Sequence, residues 1–578
     1  MSAARAVFVA RRALASKPLT AQRSYRVASP AMAKILATDG VDQCCIDIFK
    51  ERGHVVDFKK TMPEDELAKI IGEYDGLVVR SATKVTPAII KNMKKMRIIG
   101  RAGVGIDNIN VPESTKAGIM VMNTPGGNTT STAQLAISLL CALARNIPAA
   151  DLSVKEGKWD RKSFTGIEMH GKTLGVVGCG RIGQEVANMA REIGMNVIGY
   201  DPVMSAESFK AVGLAKVELD QIWKHSDFIT VHTPLTPETS NLLDETSMGL
   251  CKRGVRIVNC ARGGIVDEAA LLKMLESGQV GGAALDVFTS EPPKEHLRPL
   301  IMHPHLVCTP HLGASTEEAQ INVARDIATQ MCDVFDQKDY FGVTNVSYLM
   351  ASTQVHMKPF MKLAETIGAM QAQIAGSPVK KVTLKTFGGR DANITTKQAR
   401  QLLEAKVLKG LVKHMGLGLV PDLISAPAMA VEADVQSMIS EEAPSLSAPY
   451  WNLLSVEAER ADGTATRISG AVFGNAPHII EVDQYSDSFA FKPEGNYLLT
   501  FKNADRPGAI SEVLEILQRF DVNIASLQVA RAKTGTSETA DLPMALCFMA
   551  LDDDVSTNAM AALLSLGFLS DVAKIKLQ

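Results

Sequence analysis

The sequence predicts an α/β protein in which two doubly wound parallel-sheet units are followed by two smaller α/β units. Three observations carry this expectation. Short β-rich runs alternate with helical stretches from Lys34 to about Phe335, a glycine fingerprint opens the second run of alternations, and 578 residues exceed what one hydrophobic core holds.

In the first unit, strands are expected at Ile35–Thr38, Val55–Phe58, Leu77–Arg80, Ile98–Arg101 and Met120–Asn123, each separated from the next by a helical period. A long helix over about Thr130–Ala144 leads to a second series at Leu174–Val177, Val197–Tyr200, Phe228–His232, Arg256–Asn259, Gly282–Asp286 and Leu306–Thr309. Those six strands make a complete dinucleotide-binding sheet. A helix over about Glu317–Phe335 follows. Beyond Asp339 the apolar runs shorten and breakers such as Gly376-Ser-Pro and Glu441-Glu-Ala-Pro enter, so a boundary is set there. The last stretch reads as strand Tyr497–Phe501, a turn at Asp505-Arg-Pro-Gly508, helix Ile510–Phe520 and strand Ile524–Ala530. The expected division is a leader over 1–33, a first unit of 34–129 plus 316–340, a second of 130–315, a third of 341–490 and a fourth of 496–578.

Composition narrows the function. A formal net charge of -2 without long single-sign runs supplies no basic field for nucleic acid. No apolar run approaches the ~20 residues of a bilayer span, so no membrane is expected. Nine cysteines without a C-x-x-C pair fit reduced thiols, not a disulfide framework or a structural metal. The leader carries Arg5, Arg11, Arg12, Lys17, Arg23 and Arg26, with no acid before Asp39. That is the composition of a mitochondrial or other organellar transit peptide, while an untargeted leader, or a start at Met32, leaves the cytoplasm open.

The chemistry is concentrated in the second unit. Within Leu174-Gly-Val-Val-Gly-Cys-Gly-Arg-Ile-Gly-Gln-Glu-Val-Ala187, Gly178, Gly180 and Gly183 form G-x-G-x-x-G between a strand and a helix. The first glycine allows a tight turn, the second lets the backbone approach a pyrophosphate, and the third lets helix and strand pack closely; Arg181 adds a charge. Asp201 ends the next strand, where a carboxylate accepts from ribose hydroxyls and repels a 2′-phosphate, which favours NAD over NADP. Oxidising an alcohol beside a carboxylate also requires a cation and a base. Arg262, Glu291 and His311 follow consecutive strands at their carboxyl ends. The planar fork of Arg262 suits a carboxylate; His311 is read as the acid–base, with Glu291 orienting it. His303-Pro-His305 near His311 lacks an acidic or thiol residue to complete a metal set, so no metal is expected.

These segments, with Asn259-Cys-Ala-Arg-Gly-Gly-Ile-Val-Asp-Glu268 and Pro310-His-Leu-Gly-Ala-Ser-Thr316, resemble the D-isomer-specific 2-hydroxyacid dehydrogenases. Val78-Val-Arg-Ser-Ala-Thr-Lys-Val85, Ile99-Gly-Arg-Ala-Gly-Val-Gly-Ile-Asp-Asn108 and Met122-Asn-Thr-Pro-Gly-Gly-Asn128 are similar to the substrate-side loops of members that oxidise 3-phosphoglycerate to 3-phosphohydroxypyruvate on the way to serine. The resemblance implies a substrate domain and a Rossmann NAD domain, with Arg262, Glu291 and His311 catalytic. It places Arg80, Ser81, Arg101 and Asn128 near substrate, and Arg181, Ile182, Asp201, Thr233, Cys260, Ala261, Asp286 and Gly313 at NAD. Val104 stands where the family often has Thr, so that side chain is not expected to contact the cofactor. The third unit resembles the family's intervening domain. The fourth is similar to an ACT domain, which implies an amino-acid effector, serine among the options, at Asp505 and Asn523; Asn503 departs from the His common in serine-inhibited bacterial relatives. A homodimer or homotetramer is implied. A glyoxylate, hydroxypyruvate or glycerate reductase, and an NAD-sensing corepressor-like protein, are the alternatives.

Overall fold

The computed structural model describes residues 32–374, 377–388, 394–416, 421–440, 452–483, 485, 490–531 and 544–577. The transit-like segment up to residue 31, Gly376 of the first breaker and the whole of Glu441-Glu-Ala-Pro lie outside the described residues.

The first sheet joins β1 (Lys34–Ala37), β2 (Val55–Phe58), β3 (Gly76–Val79), β4 (Ile98–Arg101) and β5 (Met120–Asn123) in the order β2-β1-β3-β4-β5, all parallel. β3 is buried along its whole length, as a strand covered on both faces must be. Helix Glu317–Phe335 returns from the second unit and lays Val323, Ile327, Met331 and Phe335 against Ile35, Val78, Ile98 and Met122.

The second sheet comprises β6 (Thr173–Val177), β7 (Asn196–Tyr200), β8 (Ala215–Lys216), β9 (Phe228–Val231), β10 (Val255–Asn259), β11 (Val280–Leu285) and β12 (Leu306–Cys308). Its order is β12-β11-β10-β9-β6-β7-β8, again all parallel. The six-strand expectation is therefore one short. β8 is a two-residue exposed edge strand, too brief to leave an apolar period. Strand order reverses between β6 and β9, and ligands of open α/β sheets settle at the carboxyl ends beside such a switch.

Helix Thr129–Arg145 links the units and ends at Asn146, whose left-handed φ of 52° turns the chain into helix Ile147–Lys155. No single helix among the described residues is long and apolar enough to cross a membrane. Across the two crossovers, Thr132 Oγ1 donates to Gly313 O at 2.9 Å, and Ser131 and Thr316 share a hydroxyl bond of 2.7 Å.

The third unit packs helices Met357–Gln373 and Lys397–His414 on a mixed sheet of β13 (Val379–Phe387), β14 (Gln436–Ser440), β15 (Leu453–Arg460), β16 (Ala465–Phe473) and β17 (Ala476–Val482), in the order β14-β13-β15-β16-β17. The fourth has β18 (Tyr497–Ala504), helix Ala509–Arg519, β19 (Ile524–Arg531), β20 (Met544–Leu551), helix Thr557–Leu564 and β21 (Leu569–Lys576). Its antiparallel order β19-β20-β18-β21 is the split β-α-β-β-α-β arrangement.

Composition changes at Asp339, but the packing carries the first unit further. Val343, Val346 and Leu349 are buried in its core, and Thr344 N bonds Val121 O at 2.8 Å. Asn345 ties this strip down: its Oδ1 accepts Val121 N at 3.0 Å, and its Nδ2 donates to Thr115 Oγ1 at 2.8 Å and Ile119 O at 3.0 Å. Asn345→Ala strands these groups and should cost about 2–3 kcal/mol, read as a lower midpoint of the first transition in urea. An unchanged midpoint would remove the strip from the fold's support.

Candidate active site

A cleft of about 590 Å³ opens between the two parallel-sheet units. Arg80, Ser81, Arg101 and Asn128 line it from the first unit, and Ile182, Thr233, Cys260, Ala261, Arg262, Glu291, His311 and Gly313 from the second. Residues from eight separate stretches of sequence thus meet at the carboxyl ends of β3, β4, β9, β10, β11 and β12.

The glycine turn lies at the back of this cleft. Gly178 has φ 90°, and a Cβ there would come within 2.6 Å of His232 O; a Cβ on Gly183 would overlap Gly178 O. Gly180 differs, since nothing lies within 4 Å of the point where its Cβ would stand. That open space over the first turn of helix Arg181–Glu192 is what a pyrophosphate needs. Thr233 Oγ1 is buried nearby without a partner. The turn therefore fits a dinucleotide. Arg181 is exposed and outside the cleft lining. Asp201 is bonded to the turn itself: Oδ2 accepts Cys179 N at 3.0 Å, while Oδ1 accepts Val203 N at 2.9 Å and Met204 N at 3.1 Å.

The electrostatics of the cleft are dominated by three guanidinium groups. Burial, then the cations of Arg262 and Arg80, push the pKa of Arg101 down to about 10, so it stays charged at neutral pH. Its Nε is buried without a partner, as is Asn128 Oδ1. Two glycines seat these side chains. A Cβ on Gly103 would lie 2.9 Å from Arg101 Nη1, and one on Gly105 would overlap Arg262 Nη2. Asp39 fixes the Arg80 loop by accepting Arg80 N and Thr83 N, each at 2.9 Å, on Oδ2. A half-buried guanidinium whose Nε has no partner and an unpaired buried acceptor around one cavity make it a site for an anion bearing hydroxyl groups.

Beside the arginines, His311 Nδ1 lies 2.7 Å from Glu291 Oε2, leaving Nε2 for a substrate. Both side chains are held by carboxylates further from the cleft. Asp286, 1 % exposed, accepts Thr309 Oγ1 (2.6 Å) and Leu312 N (2.7 Å) on Oδ1 and Gly313 N (2.9 Å) on Oδ2. His311 N bonds Asp286 O at 2.9 Å, and His311 itself sits at φ 58°. Glu268 accepts Thr289 N at 2.8 Å and Thr289 Oγ1 at 2.6 Å, and Glu291 Oε1 accepts Phe288 N at 3.3 Å.

Two cleft residues escaped sequence reasoning. Asp107 lay inside a recognised loop, yet its ion pair to Arg262 Nε at 2.9 Å joins the two units. His232 follows β9, bonds Thr230 Oγ1 at 2.9 Å, and has its pKa pushed down to about 4 by burial. Adjacency to the switch-point strand was the available signal for His232; a lone acid beside glycines gave none for Asp107. In the fourth unit, Asp505 follows the end of β18, while Asn523 precedes β19, whose first residue Ile524 lies level with Tyr497 at the start of β18, both opposite Leu551 of β20, so the two stand at opposite ends of the sheet. Asp505 pairs with Arg531 at 2.8 Å and Asn523 Nδ2 donates to Asp552 at 2.5 Å, so one chain does not bring the two expected effector residues together.

Family comparisons agree with this architecture. Residues 137–313 match the D-isomer specific 2-hydroxyacid dehydrogenase NAD binding domain, 356–483 the D-3-phosphoglycerate dehydrogenase intervening domain, and 497–568 the ACT domain. The chain is 40% identical over 565 residues to a D-3-phosphoglycerate dehydrogenase of Synechocystis, covering 98% of each protein. It is 40% identical over 550 residues to that of Methanocaldococcus jannaschii, covering 94% of this chain and all of the relative. A crystal structure of a Thermus thermophilus protein, 30% identical, superimposes on 54% of this chain and 99% of its own with a TM-score of 0.50. The chain belongs to the D-3-phosphoglycerate dehydrogenase family, NAD-dependent D-isomer specific 2-hydroxyacid dehydrogenases that here carry an intervening domain and an ACT domain.

Proposed function

We propose that the chain oxidises the C2 hydroxyl of 3-phosphoglycerate to 3-phosphohydroxypyruvate, the reaction that opens serine synthesis. The observation that carries this reading is the convergence of Arg80, Arg101 and Arg262 beside a carboxylate-held imidazole. Near neutral pH the substrate carries close to three negative charges, about two on phosphate and one on carboxylate. Three converging cations match it; an unphosphorylated glycerate or glyoxylate would leave half-buried Arg101 without its counterion.

In the mechanism, Arg262 engages the substrate carboxylate and polarises the C2 oxygen as it becomes a carbonyl. His311 Nε2 takes the hydroxyl proton while Glu291 holds Nδ1–H, which fixes the tautomer and stabilises the imidazolium formed. Bound NAD supplies the hydride acceptor. Gly178, Gly180 and Gly183 shape its pyrophosphate site, with Ile182, Asp201, Thr233, Cys260, Ala261 and Gly313 around the remainder, exposed Arg181 at its edge, and Asp286 acting from behind by holding Gly313. The parallel-sheet units, 34–129 with 316–340 extended by the strip to Leu349, and 130–315, act as substrate and NAD domains, followed by the intervening domain from there to 490 and the ACT domain over 496–578.

Steady-state rates of the full chain with NAD should favour 3-phosphoglycerate over D-glycerate by at least a hundredfold in kcat/KM. Arg101→Gln should erase most of that ratio by acting on the phosphorylated substrate alone, a loss of about 2–3 kcal/mol. Equal rates on both acids would move the assignment to the glycerate and hydroxypyruvate reductases.

His311→Ala should lower kcat by roughly 10²–10⁴-fold with NADH binding intact. His232 cannot substitute, being neutral down to about pH 4. Its folded pKa lies below the unfolded value of 6.5, so the unfolded chain takes up the proton first, and stability drains as pH falls from 6.5 towards 4, by at most about 3 kcal/mol. His232→Gln should flatten that slope in urea unfolding; an unchanged slope would place the titration elsewhere.

For the ACT domain we propose L-serine as the effector, reached by Asp505 of one copy and Asn523 of another, and a homodimer or homotetramer as the assembly. Ile147, Leu152 and Val154 are each more than half exposed on one short helix, an exposed apolar element suited to a second copy. Sedimentation of the full chain with and without L-serine tests both; a monomer unmoved by serine would remove both.

A further inference from the structure

We propose that Asp107 is the positioning residue of Arg262, aiming the guanidinium at the substrate through an ion pair thrown across the cleft from the opposite unit. The proposal rests on the reading of Arg262 as the carboxylate-binding cation.

The backbone of Arg262 is well fixed. Asn259, 1 % exposed, donates Nδ2 to Arg262 O at 2.8 Å and accepts Ala261 N at 2.9 Å, and Gly263 lies flat against the backbone of Phe288. Beyond its Cβ the side chain is long and rotamer-rich, so its aim must come from contacts. There are three. Nη1 donates to Ala261 O in its own turn at 2.6 Å, Nη2 rests over Gly105, and Nε donates to Asp107 Oδ2 at 2.9 Å. Asp107 is the single charged partner, and it belongs to the other unit.

Asp107 is itself held by the bracket that sets Arg80. The adjacent Asn108 donates Nδ2 to Arg80 O at 2.8 Å and Thr83 O at 2.7 Å, and Asn108 O accepts Val85 N at 2.7 Å. Asp39 grips Arg80 N and Thr83 N from the other side. One hydrogen-bonded frame therefore places both the substrate-side Arg80 and the anchor of Arg262. A carboxylate on Nε leaves the outward N–H groups of Nη1 and Nη2 free to meet a substrate carboxylate end-on. Without Asp107, repulsion from Arg101 and Arg80 would turn the guanidinium away.

Electrostatics and positioning predict opposite signs, which makes the test decisive. Deleting an anion from a cleft that binds a trianion should, by Coulomb's law alone, lower KM and leave kcat intact. Loss of aim should instead lower kcat, since misplacement of about 1 Å costs roughly a hundredfold. The experiment uses the full chain with 3-phosphoglycerate and NAD, with NADH fluorescence titration as the fold control. The Asp107 side chain is 67% exposed, so its removal should not unfold the protein. The expected result is a ten- to hundredfold fall in kcat for Asp107→Ala, substantial recovery in Asp107→Asn, which keeps an acceptor for Nε–H, and unchanged NADH affinity in both. Gly105→Ala, whose methyl overlaps Nη2, should reproduce the kcat loss. The proposal is overturned if Asp107→Ala keeps kcat within twofold, or if Asn and Ala behave alike with a lowered KM. Arg262→Ala in the same assay separates the two levels: retained turnover there would sink the role of Arg262 itself, whereas its loss together with a silent Asp107→Ala would sink only the positioning.

Discussion

Asp286 is the interaction on which the active half of the second unit depends. A carboxylate at 1 % exposure carries a large desolvation cost unless its lone pairs are filled, and here hydroxyl and amide groups of Thr309, Leu312 and Gly313 fill them. Those bonds gather the loop after β12 and hold His311 in a left-handed backbone conformation that a non-glycine residue adopts only under constraint. With the loop gathered, the imidazole faces Glu291, whose own segment is pinned by Glu268 through Thr289. Two buried acids thus orient an acid–base pair that remains half open to the cleft.

The first unit solves a different problem, that of keeping cations together before any anion arrives. Arg101 is buried against Arg262 and Arg80, and the nearby carboxylates of Asp107 and Asp39 only partly offset them. Such an arrangement stores unfavourable energy that a phosphate and a carboxylate relieve together, so substrate charge is read as a sum across the cleft. Glycine at 103 and 105 is required for the same reason. Any side chain there would occupy the volume of a guanidinium.

What could be read from the chain follows from how local each signal is. β3 and β9 are apolar on both faces, and helix Glu317–Phe335 repeats its buried positions at helical spacing, so pattern alone located them. β8 has two exposed residues and no pattern to read. Arg262, Glu291 and His311 were legible because each follows a strand at its carboxyl end. Asp201 and Asp286 were legible as acids near a nucleotide, but their backbone partners depend on how loops fold back and have no sequence signature. Asp505 and Asn523 flank a turn and a helix end that look adjacent in sequence; the eleven-residue helix between them carries them apart. The third unit has no motif because its strands and crossing helices serve one apolar core.

The remaining step concerns how the added domains meet the catalytic pair. The third unit packs on the substrate unit: Tyr348 Oη donates to Leu423 O at 2.9 Å, Lys116 pairs with Glu432 at 3.1 Å, and Leu423 and Ile424 lie against the core formed by β1, β3 and β5; the fourth packs on the third, with Leu498, Phe548 and Ile575 in the third unit's core. Asn345, at the root of the third unit, bonds directly to the backbone of β5, and β5 leads through Asn128 into the helix that enters the NAD domain. The third unit therefore abuts β5 and the substrate-side unit, not the glycine turn. Asp107 ties the substrate unit to Arg262 across the cleft, whereas the Glu291–His311 pair lies wholly within the second unit. The carboxylate-binding cation is thus anchored from both units and the proton-transfer pair from one, so a substitution at Asp107 separates the aim of the cation from proton transfer.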